Sequence, residues 1–131
     1  MPFVTALVAA PLLLLIAGLG VAISSHRRRQ GIGPGMAGDV AFTRLQRAHG
    51  NAVEHSPMLL LGLLFLELLG ARSPVLIAFG VAIVVARIAH AAGITQRPRH
   101  PLHVLGAALT YFLEVALAVY LVFAALRRAN F

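Results

Sequence analysis

Arg47, Asn51 and Glu54 stand at i, i+4 and i+7 within Thr43–His55. On a helix of ~3.6 residues per turn this spacing puts a cation, an amide and an anion on one face. Seven steps of about 1.5 Å rise separate Arg47 from Glu54 by roughly 10 Å, too far for a direct ion pair. Arg44 extends the stripe by one turn. The surrounding sequence is apolar enough for a membrane, where an ionisable group at a helix centre costs about 2.5–3.5 kcal/mol. Such a face must therefore point into a bundle or a wet cavity. Two chemistries fit the stripe: a polar network that holds helices together, or a binding site for a zwitterionic or anionic small molecule.

Further polar residues are scattered through apolar sequence. Arg87 and His90 sit at i and i+3. Arg87 is embedded in valine, isoleucine and alanine and needs a partner, and Glu54 is the natural candidate at similar depth. His90 is either a ligand contact or an interhelical histidine. His100 and His103 have a spacing that would suit a metal only with more ligands, so no metal site is expected. Glu67 is expected to snorkel to water, and Glu114 to make a helix-packing hydrogen bond. Pro57 removes a backbone donor and clashes with the Val53 carbonyl, which predicts a kink.

The elements that must position these groups are apolar runs. Hydrophobic residues make up 60% of the 131 and charged residues 11%, against about 45–50% and 25% in soluble domains. Lipid is the solvent that this composition suits. Four segments emerge, roughly 3–24, 40–69, 74–94 and 102–126, which predict an all-α polytopic membrane protein, a single four-helix domain over 1–131. The first connection is rich in glycine and holds Pro34; the third is short and basic, with Arg97, Pro98, Arg99 and Pro101. The basic cluster follows the first run instead of preceding it, so that run reads as a retained helix and not a signal peptide. The first and third connections, with the adjoining helix start, hold Arg27, Arg28, Arg29, Arg44, Arg47, Arg97 and Arg99; the opposite side holds Arg72, Arg127 and Arg128. This asymmetry predicts both termini outside the cytoplasm and an up-and-down order of helices. The net charge of +7 then serves orientation and anionic headgroups, not nucleic acid. With no cysteine in the chain, thiolate nucleophiles and disulfides are excluded.

The run Arg44–Pro57, with Arg47, Asn51 and Glu54 and a proline close behind, resembles the second-helix signature of the MAPEG superfamily, the membrane-associated proteins in eicosanoid and glutathione metabolism. Ala86–Arg87–Ile88–Ala89–His90 resembles the matching third-helix segment of the family's prostaglandin E synthases. The likeness covers nearly the whole chain and is closest to small bacterial members. It implies a homotrimer in the bacterial inner membrane, with glutathione bound between neighbouring subunits and open to the cytoplasm. Carried over by position, Arg47, Asn51 and Glu54 would hold the ligand's charged and amide groups, with His49, His55, Arg87 and His90 as further contacts. The implied chemistry adds the glutathione thiolate to a lipophilic electrophile or reduces a peroxide. That chemistry needs a positive donor near the sulphur.

Here the sequence departs from the family. Where eicosanoid enzymes place a thiol-activating arginine, this chain has His103, followed by Val104 instead of a hydroxyl residue, and Ile94 replaces an aromatic one turn beyond His90. His103, with Arg99 from the loop, is the catalytic candidate. The resulting expectation is a glutathione-dependent membrane transferase or peroxidase. The alternative is a non-enzymatic lipid- or ligand-binding relative. A proton-coupled exporter is disfavoured, because the first helix carries no carboxylate.

Overall fold

The structure, a computed structural model, describes residues 1–33, 35, 38–97 and 99–129. Pro34 and Pro98 of the connections lie outside the described residues. The described residues form four helices: α1 (Phe3–Gln30), α2 (Val40–Leu68), α3 (Ser73–Gln96) and α4 (Pro101–Arg128). By length and composition α1, α3 and α4 can each cross a membrane. The polar first half of α2 leaves that helix outside this set.

Helix α1 runs six residues past its apolar segment and carries Arg27, Arg28 and Arg29 in its last turn. There the cations meet the partly negative end of the helix. Gly31 ends it in the left-handed region at φ 64°, a conformation that glycine adopts without steric cost. Helix α2 starts on Asp39, whose carboxylate accepts the Phe42 N–H at 2.7 Å and meets His26 Nε2 at 3.1 Å. The Phe42 N–H holds the Asp39 carboxyl below its ordinary range; burial opposes this, and His26 adds to it. Pro57 leaves α2 helical throughout.

Two polar contacts set the helices against one another. The first turn of α1 has no side-chain cap of its own, and its leading N–H groups have no helical acceptor. Glu67, near the end of α2, supplies one. Its carboxylate accepts from the Val4 N–H at 2.7 Å, the Thr5 N–H at 2.8 Å and the Thr5 hydroxyl at 2.7 Å. Expected to snorkel to water, Glu67 instead caps a neighbouring helix, where an anion is favoured. At the other end of α2, Arg44 donates to the Gln96 carbonyl at the end of α3. Arg44 therefore closes a helix terminus and does not extend the stripe.

Between these ends lies an apolar core. Leu59, Leu63 and Leu66 of α2 pack with Val8 and Leu12 of α1, Leu76 and Ile83 of α3, and Leu113 and Leu117 of α4. It occupies the second half of α2. Helix α1 packs on α2 and α3 and makes no contact with α4 among the described residues. The first half of α2 faces α3 and α4 across a cavity.

Candidate functional site

The cavity begins with the close approach of α3 and α4. A Cβ on Gly93 would overlap the backbone of His103, and one on Gly106 would overlap the backbone of His90 and the Ala86 carbonyl. Glycine at both positions lets the helices meet backbone to backbone, as small residues do within membranes. His90 and His103 then meet edge to face, with ring centroids 4.8 Å apart. Arg87 comes within reach of Thr110.

Arg87 is fully buried. Its guanidinium donates to Asn51 Oδ1 at 2.6 Å and to Thr110 Oγ1 at 3.0 Å. The Thr110 hydroxyl donates in turn to the Gly106 carbonyl at 2.8 Å, which leaves its oxygen free to accept. Hydrogen bonds to a charged group contribute about 1.5–3 kcal/mol each, so this network ties α2, α3 and α4 together at one depth. The expected Glu54–Arg87 pair does not form. Glu54 is exposed and makes no hydrogen bond or ion pair among the described residues. Both residues are near one depth, but Arg87 is turned towards Asn51 and α4.

One turn further along α2, His55 Nδ1 lies 2.7 Å from Glu114 Oε1 of α4. Tyr111 meets the His55 ring edge-on at 5.4 Å. Glu114 thus makes the interhelical hydrogen bond expected of it.

These groups surround a cavity of about 620 Å³, within the roughly 300–1,000 Å³ of small-molecule sites. Arg47, Asn51, Glu54 and His55 line it from α2, Arg87 and His90 from α3, and His103, Thr110 and Tyr111 from α4. Two expected site residues are elsewhere. His49, two residues and so over half a turn from Arg47, faces α1, with its Nε2 3.6 Å from where a Cβ on Gly20 would stand. Arg99 is exposed in the connection between α3 and α4 and is not among the lining residues. His100 caps α4, its Nδ1 accepting the Leu102 N–H at 3.2 Å.

Thr110, Tyr111, Gly93 and Gly106 were not singled out from the sequence. The glycines had a usable signal: each costs about 1 kcal/mol against alanine inside a helix, so two facing glycines in apolar helices call for a close contact. Thr110 and Tyr111 look like ordinary members of an apolar run.

The cavity offers the guanidinium donors of Arg47 and Arg87, the carboxylate of Glu54, the amide of Asn51 and the imidazoles of His55, His90 and His103. Arg87 Nε and His90 Nδ1 are buried without a hydrogen-bond partner among the described residues, although buried polar atoms are mostly satisfied. Such a lining suits a ligand with carboxylates, an ammonium group and amides. The MAPEG family model matches residues 4–123. No curated protein matches the chain.

Proposed function

Because the chain belongs to the MAPEG family and has three helices apolar enough to span a bilayer, we propose that this integral membrane protein is a glutathione-dependent transferase or peroxidase acting on lipophilic electrophiles. The observation that carries the reading is Glu54. A carboxylate without a partner among the described residues, in a cavity that also holds Arg47 and the Arg87–Asn51 network, is complementary to the ammonium of a ligand whose carboxylates meet the arginines. Glutathione has one ammonium, two carboxylates and two amides, and the family's chemistry uses its thiol. Arg47 and Glu54 take the charged ends; Asn51, already held by Arg87, presents its remaining donors; His55, His90 and His103 stand around the rest of the molecule. His49 and Arg99 have no part in this arrangement as one chain forms it.

The same reading includes a homotrimer of up-and-down four-helix subunits in the bacterial inner membrane, with the cavity open to the cytoplasm and the starts of α1 and α3 on the other side. Support comes from the arginine asymmetry and from the apolar side chains exposed along all four helices, among them Leu14, Phe65, Val85 and Phe112. A second reading, ligand binding without catalysis, rests on His103 standing where the eicosanoid enzymes have arginine.

Glutathione binding to the detergent-solubilised protein tests the function, with the ultraviolet thiolate band read in the same titration. Saturable binding with a growing thiolate band is expected. Binding without the band favours the second reading, and absence of binding refutes both as glutathione proteins.

A further inference from the structure

The departure at His103 leaves open which group takes the proton from the thiol. Arginines hold no acceptor. His90 is 3% exposed and turned edge-on to His103. His55 is placed differently. It lines the cavity, and its Nδ1 is 2.7 Å from Glu114 Oε1. A carboxylate only accepts, so the ring donates from Nδ1, which in the neutral imidazole leaves Nε2 with the lone pair. Tyr111 packs on the ring from the side, and Arg87 puts a cation within Coulombic reach of Glu114. The imidazole is thus held in one tautomer and one orientation, as a general base must be.

Glu114 also borders a second space. An apolar groove of about 470 Å³ runs between α2 and α4, lined by Met58, Leu61, Phe65 and Leu121 among others. Met58, Leu61 and Phe65 are exposed there. The His55–Glu114 pair stands where the polar cavity and this groove meet.

We propose that His55 is the catalytic base for the thiol, that Glu114 positions it, and that the electrophile is an acyl-chain α,β-unsaturated carbonyl compound whose chain lies in the α2–α4 groove. This rests on the glutathione reading of the cavity. His55 Nε2 takes the S–H proton. The sulphur then bonds to the β-carbon, and the carbon–carbon π pair moves towards the carbonyl oxygen as an enolate. The proton held by His55 returns to the α-carbon. One S–H bond and the carbon–carbon π bond are broken, one C–S and one C–H bond are made, and no oxidant or reductant is consumed.

The test uses the full chain in detergent, glutathione and a medium-chain 2-alkenal. His55→Gln, measured at saturating glutathione, is expected to lose the thiolate band and about 10²–10⁴-fold in kcat, the usual contribution of a general base. Glu114→Gln is expected to lower kcat with KM for glutathione unchanged. In ¹⁵N-histidine spectra of the native protein, His55 (identified by its loss in His55→Gln) should carry its proton on Nδ1, and Glu114→Gln should mix the tautomers. A proton on Nε2 of His55 in the native protein overturns the base assignment even if a variant fails to fold. So does a thiolate band that persists in glutathione-saturated His55→Gln, while the glutathione reading survives. If the native protein binds no glutathione, that reading fails and takes this role for His55 with it. Turnover that does not improve as the alkenal chain lengthens overturns the groove as the electrophile's seat.

Discussion

Glu67 and Glu54 lie on the same helix and are put to opposite uses. Glu67, in the apolar half of α2, accepts three hydrogen bonds from the first turn of α1 at 2.7–2.8 Å. Glu54, in the polar half, accepts none among the described residues. On the same half of α2 as Glu67, Leu59, Leu63 and Leu66 are fully buried in the apolar core; around Glu54 the molecule opens into a cavity of about 620 Å³. In the apolar half the one carboxylate is consumed by a helix end. The polar half keeps donors and acceptors that have no partner among the described residues. A charge inside an apolar segment is thus no sign of function until its partners are known.

Substitutions can break this contrast. Gly106→Leu should have the largest effect, because even its Cβ would overlap the His90 backbone. Separating α3 from α4 should lower stability by the upper end of the roughly 1–3 kcal/mol typical of overpacking and abolish glutathione binding as Arg87 loses Thr110. Calorimetric melting and titration of the same sample check both. Glu67→Ala should come next, at about 1–3 kcal/mol for orphaned donors. It should loosen the start of α1, read as faster amide exchange at Val4 and Thr5, and leave glutathione affinity at the native value. A loss of affinity there would mean that the two halves are not independent.

The smallest effect should be that of pH at the α1–α2 junction. The folded state holds the Asp39 carboxyl below its ordinary range. This contribution is complete above the ordinary value and fades as pH falls through the lowered one. The melting temperature should therefore slope downwards on the acid side of the ordinary aspartate range. Asp39→Asn retains a good helix cap and should flatten that slope. An unchanged slope in the variant would assign the acid sensitivity to another carboxylate.

Much of the site is legible in the sequence, since i, i+4, i+7 spacing places Arg47, Asn51 and Glu54 on one face whatever the tertiary structure. The depth of Arg87 was legible too. Its partner was not, because sequence gives position along a helix axis but not the rotation of one helix against the next, and that rotation gave Arg87 to Asn51 and Thr110. The role of Glu67 was hidden for a related reason: a carboxylate near one helix end says nothing about which uncapped terminus lies beside it. His49 shows the converse, since two residues along a helix were enough to turn a candidate contact towards α1. The far end of α1 also escaped an apolar pattern, which stops at Ser24 while the helix continues to Gln30.

The central claim, that the polar half of α2 is a binding site and not scaffold, is tested most directly by Glu54→Gln. Glutathione affinity and melting temperature are measured on one preparation. Because Glu54 has no partner to lose among the described residues, the expected result is an affinity reduced by about 1.5–3 kcal/mol, or roughly ten- to a hundredfold, at an unchanged melting temperature. Native affinity together with a lowered melting temperature would contradict the claim and return Glu54 to a structural role.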